Sequence, residues 1–315
     1  MARNSIERPS DKGAFAGVAE EFAAAIEAST GKEVRLCSHE PADGKAIVDY
    51  MDRLLLAPRP DRGLDVLERT GVLKHVFPEL EQLVDFGEGV RHKDVWDHTK
   101  KVVLQAPSRR VVRWTALFHD IGKVPTRRFD EKGLVSFLGH PEVGARMFER
   151  IARRLSLDTD LRDRVSLLIA YHLRAAAYEP KWTDSAVRRF IRDLGDSLED
   201  LLDLSRADIT SKYEVKVQRG IRQINLLAER VEIVREIDSR PRPLPKGLGD
   251  AIMERFSLVP GPHLGEVMRT LKRAVESGEL DPRADYSHYL DFINDNNLLA
   301  GFVSIGEFDE KGRSI

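Results

Sequence analysis

The chain has 315 residues, enough for one large or two modest domains, and its 42% hydrophobic and 32% charged side chains are ordinary globular composition. A formal net charge of −2 excludes a strongly basic nucleic-acid binder by bulk charge, and the single cysteine, Cys37, excludes an intrachain disulfide or a cysteine-rich zinc site. No apolar leader and no apolar run near the ~18 residues of a membrane span is visible, so no membrane partner is expected and the expected compartment is the cytoplasm.

Apolar residues recur with helical period nearly throughout, so the expected fold class is all-α. The pattern predicts a helix over 13–28, a loop over 30–44 with a short strand at 33–37, and a helix over 45–56 broken by Ala57-Pro-Arg-Pro60. Helices follow near 62–72, 94–106, 110–122, 141–156, 159–174, 183–194, 198–210 and 214–237. The proline-rich stretch Ser239–Pro245 reads as a joint, with helices near 246–255, 262–278 and 285–295 beyond it. The expected organisation is an extension of unknown role (1–44), a helical segment (45–90), a main domain (91–238), a small C-terminal helical unit (239–298) and a tail (299–315). The arginine pairs Arg109-Arg110 (with Arg113 nearby), Arg127-Arg128, Arg153-Arg154 and Arg188-Arg189 read as solvated helix faces, with phosphate binding as the alternative.

Four of nine histidines form a set with two aspartates: His98, His119, Asp120, His140, His172 and Asp208. His172 shares a helical stripe with Leu161, Val165, Leu168 and Ile169; His98 with Val95 and Val102; His119 with Val112, Thr115 and Ala116; Asp208 with Leu201 and Leu204. These polar groups therefore point toward the core. A lone inward histidine is usually a hydrogen-bonded core residue, but six such groups in one chain ask for another explanation. A buried aspartate is costly unless paired or metal-bound, and imidazole with carboxylate suits Mn, Fe, Ni, Zn or Co. The set suffices for two ions sharing one carboxylate. His39, His75, His92, His263 and His288 read as surface or packing residues.

The order His, His-Asp, His, His, Asp on successive helices resembles the HD superfamily of metal-dependent phosphohydrolases, and Phe118-His-Asp-Ile-Gly-Lys123 matches that family's core motif. The resemblance implies an HD-domain helical bundle in which His98, His119, Asp120 and Asp208 hold a divalent ion. Asp120 would bridge to a second site completed by His140 and His172. It also implies Mn, Ni, Co or Mg as cofactor and phosphorus attacked by metal-activated water. Asp120 and Lys123 are the expected catalytic residues. Lys123 and Arg174 are the first candidates to bind phosphate oxygens, Arg127 and Arg128 a weaker pair, and Thr126 a further substrate contact.

A narrower resemblance covers roughly 45–296. Leu54-Leu-Leu-Ala-Pro-Arg-Pro-Asp-Arg-Gly63 with Gly71-Val-Leu-Lys-His-Val-Phe-Pro-Glu79 is similar to the RNA-binding segment of bacterial tRNA nucleotidyltransferases (CCA-adding enzymes). Arg206-Ala-Asp-Ile-Thr-Ser-Lys212 is similar to the end of their HD domain, and Phe256–Gly265 to their C-terminal unit. Their nucleotidyltransferase head needs a Gly-Gly or Gly-Ser loop, which this sequence lacks, so nucleotide addition is not expected. The resemblance implies 2′,3′-cyclic phosphodiesterase or 2′-phosphatase activity on nucleotides or RNA ends, with tRNA as a further partner. The alternatives are a nucleotidase or nucleotide-pool hydrolase, and a non-catalytic RNA- or partner-binding module. Gly306–Gly312 has the wrong spacing and no following helix for a kinase P-loop.

Overall fold

A computed structural model describes residues 18–33, 43–87, 94–239 and 244–300. The all-α expectation holds: the described residues form sixteen α-helices, one 3-10 turn at Gly195–Ser197, and one two-stranded hairpin. The predicted strand at 33–37 lies, but for its first residue, outside the described residues, as do His39, His92, the centre of the proline-rich joint and the rejected P-loop.

The chain divides into two compact units, Met1–Val234 and Arg235–Ile315. In the first, α1 (Ala19–Thr30), α2 (Gly44–Leu55) and α3 (Pro60–Arg69) pack together ahead of two short helices, α4 (Val72–Val76) and α5 (Pro78–Glu81). The predicted helix 62–72 therefore ends early. Gly71 takes the left-handed conformation (φ 77°), which glycine adopts without the Cβ clash other residues incur, and the chain turns there.

The body that follows is built on α6 (Val95–Gln105), α7 (Arg110–Phe118), α9 (His140–Arg154), α10 (Thr159–Ala176) and α12 (Leu198–Ala207). Helix α10 packs on α7, α9 and α12, so it is the central post. Its start is fixed by Asp158, whose carboxylate accepts the Leu161 amide, while Asp94 caps α6 and Thr183 caps α11 (Asp184–Leu194) in the same way. Phe118 of α7 stacks on Trp114 and meets Phe77 and Phe148 with ring centroids 5.2–5.8 Å apart. These fully buried rings each contribute roughly 1.5–3 kcal/mol of burial and hold α7 against α9.

Arg113 is a buried cap, not part of a solvated face. Its guanidinium donates to the carbonyls of Ala106, Leu55 and Ala57, closing the C-terminal ends of α6 and α2. Arg109 pairs with Asp200 and Asp203, Arg110 with Asp52 and Asp158, and Arg154 with Glu79. These cations are absorbed by the fold.

Helix α13 (Glu214–Ser239) crosses the division between units. The second unit contains α14 (Leu248–Phe256), α15 (Pro262–Ser277) and α16 (Tyr286–Asp295) around Leu248, Ile252, Leu271, Tyr289 and Ile293. Among the described residues no helix is long and apolar enough to cross a membrane.

Candidate metal centre

The His-Asp dyad sits where α7 stops, not inside a helix reaching 122. Phe118 is the last helical residue, His119 is the C-cap, and a turn carries Asp120, Ile121 and Gly122 into the single-turn helix α8 (Lys123–Thr126). A residue in this turn can face the core without the constraint of helix periodicity. Glycine 122 makes the turn possible. A Cβ there would lie 2.0 Å from the His140 carbonyl oxygen and 2.7 Å from the Gly144 nitrogen. The turn is thus pressed against the first turn of α9, which begins at His140. Asp208 likewise follows α12 as its C-cap, and Gln105 donates to the Ala207 carbonyl at 2.6 Å to hold that turn.

All six sequence candidates for metal ligands meet in one place, and they fall into two groups, His98 with His119 and Asp208, and Asp120 with His140 and His172. His98 Nε2 lies 2.9 Å from Asp208 Oδ1, His119 Nε2 lies 3.2 Å from Asp120 Oδ2, and the two imidazole Nε2 atoms are 3.4 Å apart. On the other side of Asp120, His140 Nε2 and His172 Nε2 lie 3.5 and 4.0 Å from Oδ1 and 3.2 Å from each other. Ligand atoms bound to one ion at ~2.0–2.2 Å are necessarily spaced by such distances.

The imidazoles are oriented for this. Nδ1 of His119, His140 and His172 lies 2.8, 2.9 and 2.7 Å from the carbonyls of Ala116, Phe137 and Ile169. A carbonyl only accepts, so Nδ1 carries a hydrogen in all three and Nε2 faces the centre, as a lone pair in neutral His140 and His172 and in His119 once its second proton has left. His98 Nδ1 contacts Thr210 Oγ1 at 2.8 Å.

His98, His119, Asp120, His140 and His172 are buried, whereas the Asp208 side chain is 27% exposed, so the centre meets solvent on the Asp208 side. Burial lowers His98 and His140 and takes His172 down to about 4. Burial also opposes charge on His119, but Asp120 and Asp208 outweigh it and raise His119 to about 9. Burial alone would raise both carboxyls; His119 beside Asp120, and His98 with His119 beside Asp208, hold them well below the usual range. Asp120 Oδ2 accepts no aligned hydrogen bond despite its burial, although Lys123 Nζ stands 2.8 Å away. Four imidazoles with Nε2 turned inward, two ionised carboxylates and a buried oxygen short of hydrogen bonds fit divalent cations.

The phosphate candidates are dispersed. Lys123 pairs with Asp120 and lies over the Phe137 ring. Arg127 is sandwiched between Phe86 and Phe129, 4.8 and 4.9 Å from their centroids. Arg128 is exposed and donates to the backbone of Pro125 and Arg127. Arg174 pairs with Asp193 at 3.1 Å and packs on Tyr171 and Phe190. Two residues past His172 it turns to another face of α10, so it is not brought to the centre. Thr126 donates to the Gly122 carbonyl. His75, His263 and His288 are exposed.

Sequence reasoning missed Thr210, the Gly122–Gly144 approach, and the hairpin β1 (Arg128–Phe129) and β2 (Val135–Ser136) between the dyad and His140. Of these only the glycine spacing, Gly122 and Gly144 close after the two motif histidines, left a readable signal.

Residues 91–213 match the family model described as HD domain, and residues 47–83 match the one described as the probable RNA- and SrmB-binding site of polymerase A. The chain is 34% identical over 253 residues to a CC-adding tRNA nucleotidyltransferase of Thermus thermophilus, covering 78% of this chain and 55% of that protein. It is 33% identical over 242 residues to an A-adding tRNA nucleotidyltransferase of Deinococcus radiodurans, covering 74% and 54%. A multifunctional CCA protein of Methylobacillus flagellatus is 27% identical over 259 residues, covering 76% and 60%. The chain spans about half the length of the curated relatives it matches.

Proposed function

We propose, from the premise that residues 91–213 of this chain are an HD domain of the kind found beside an RNA-binding segment in tRNA nucleotidyltransferases, that the chain is a metal-dependent phosphohydrolase of nucleotide or RNA ends. The reaction that best suits it is opening of a 2′,3′-cyclic phosphate or removal of a 2′-phosphate. The observation that carries this reading is Asp120. One of its oxygens faces His98 and His119 and the other faces His140 and His172, the disposition of a carboxylate shared between two cation sites.

Divalent ions held there supply Lewis acidity at a phosphoryl oxygen and lower the pKa of water. The remaining roles belong to the chain. Asp120 fixes the spacing of the two ligand groups, and the Ala116, Phe137 and Ile169 carbonyls hold each imidazole in the binding tautomer. Asp208, the exposed ligand, marks the side from which a phosphate arrives. Lys123, whose ammonium borders Asp120, is the cation best placed to receive a phosphoryl oxygen. Arg127 is next, while Arg128 and Arg174 act on their present backbone and Asp193 partners.

The testing experiment is hydrolysis of a 2′,3′-cyclic nucleotide by metal-stripped protein, with Mn, Ni, Co and Mg added back singly and Asp120→Ala as control. Metal-dependent turnover absent from the control is the expected result. Folded protein silent with every metal would overturn the cyclic phosphodiesterase reading. Turnover confined to free monophosphates or triphosphates would transfer the site to the nucleotide pool.

A further inference from the structure

The segment that follows Asp208 is held at three points, one of them a residue of the metal centre. Thr210 touches His98, the Ile209 carbonyl faces Gln105 Nε2 at 3.5 Å, and the Ile209 side chain fills the space over Gly220, where a Cβ would approach it to 2.9 Å. The last contact presses the start of α13 against the Asp208 turn. Tyr213 stands immediately before α13, and its side chain is 55% exposed. The ammonium groups of Lys212 and Lys216 lie 5.3 and 5.1 Å from its ring centroid. Together with Val215, Arg219 and Glu214 they line an open cavity of about 560 Å³. Glu214 accepts a hydrogen bond from Gln218 and is the one acidic side chain lining it.

The cations here differ from the arginines that the fold absorbs. Arg109, Arg110, Arg154, Arg164, Arg174 and Arg206 are all engaged by carboxylates. Lys212, Lys216, Arg219 and Arg222 are exposed and, among the described residues, carry no ion pair. Positions 216, 219 and 222 recur three apart on α13 and share one side of its first turns. From Thr210 to Tyr213 the chain spans at most about 10–11 Å even when extended. An exposed aromatic ring flanked by unpaired cations, this close to the solvent side of the centre, is the combination that holds single-stranded nucleic acid: bases stack on the ring and phosphates follow the cations.

We propose that Tyr213, with Lys212, Lys216 and Arg219, forms a binding platform for single-stranded RNA that leads a strand terminus toward Asp208. The inference rests on the phosphohydrolase reading for its direction, and it makes the substrate a polynucleotide end in preference to a free nucleotide. The net charge of −2 is no obstacle, since the contact is local.

The test is fluorescence anisotropy of a short labelled single-stranded RNA ending in a 3′-hydroxyl, which the centre has no phosphate to remove, titrated with the protein as isolated. Tyr213→Ala is expected to weaken binding roughly five- to hundredfold, the range base stacking spans, while Tyr213→Phe stays close to the natural protein. Replacing Lys212, Lys216 and Arg219 with alanine is expected to flatten the salt dependence by about 0.7 in log–log slope per cation. Binding unchanged in Tyr213→Ala, or no binding by the natural protein, would overturn the platform. The cyclic phosphodiesterase reading is decided separately by cyclic-nucleotide turnover, so RNA binding without turnover sinks that reading alone, and turnover without RNA binding sinks the platform alone.

Discussion

A carboxylate buried as deeply as that of Asp120 is tolerated only when charge or coordination compensates it. Its two oxygens serve different ligand groups, whereas Asp208 serves only the group of His98 and His119. The two aspartates therefore have separable signatures. Asp208→Ala is expected to reduce bound metal by about half, because Asp120, His140 and His172 persist, whereas Asp120→Ala is expected to empty both groups. Metal content per folded chain, measured on metal-reconstituted protein, decides this; equal retention by both variants would refute the sharing of Asp120. Gly122 is the second residue with a sharp consequence. Alanine there must displace the His140 carbonyl, 2.0 Å from the new Cβ, and that carbonyl is backbone and cannot swing aside. Gly122→Ala is expected to cost on the order of 1–3 kcal/mol and to weaken metal retention by His140 and His172. A thermal unfolding midpoint and metal content both unchanged would show that the close approach is not required.

At the scale of elements, α10 carries His172 and is braced by the carboxylate of Asp158 at its first turn. Asp158→Ala removes that cap and the ion pair with Arg110, whose exposed geometry adds little. The expected loss is about 1 kcal/mol in a denaturant titration, with metal content intact, since the cap lies at the opposite end of the helix from His172. An unaffected midpoint would mean that α10 is held by packing alone. The same helix shows why so much of the site was legible in the sequence. Leu161, Val165, Leu168, Ile169 and His172 fall on one buried stripe, so a polar residue on it had to face inward. The same logic turned His98 and His119 inward; His140, just ahead of the helix predicted from 141, had no such stripe. The logic failed where periodicity ends. The pattern over 110–122 continues smoothly past Phe118, and the turn at the dyad is set by tertiary pressure between Gly122 and α9, whose one trace in the sequence is the pair Gly122 and Gly144. The hairpin was invisible because two-residue strands are too short to alternate. The orientation of Arg174 was illegible for a related reason. Whether Arg174 faces the centre or Asp193 depends on α11, which is separated from it in sequence and decides the matter by charge.

For the whole molecule, the centre acts as a cross-link. It gathers side chains from α6, the turn after α7, α9, α10 and the end of α12, so loading it ties five segments that otherwise meet through apolar contact. Metal binding is then folding free energy, and its pH dependence follows from the imidazoles. In the metal-free protein His98, His140 and His172 have lowered pKa values, so they are neutral in the fold at pH 7 and have no proton to lose there. His119 is the exception. Raised to about 9, it is protonated in the metal-free fold, and the stability its charge provides is fully present below its ordinary value of 6.5 and is lost as pH rises through 9. The carboxyls of Asp120 and Asp208, held low, contribute above their ordinary value of 3.8 and lose that contribution as pH falls. A metal must displace the His119 proton. Between pH 7 and 8.5 loading is therefore expected to release about one proton, and metal affinity to rise roughly tenfold per pH unit. The gap in melting temperature between loaded and stripped protein should widen over the same interval, because the stripped form loses the His119 contribution while the loaded form has no such proton to lose. Calorimetric titration in buffers of different ionisation enthalpy counts the proton directly. A count near zero would mean that His119 is already neutral in the stripped fold, and that its two neighbouring carboxylates are neutralised by some other partner.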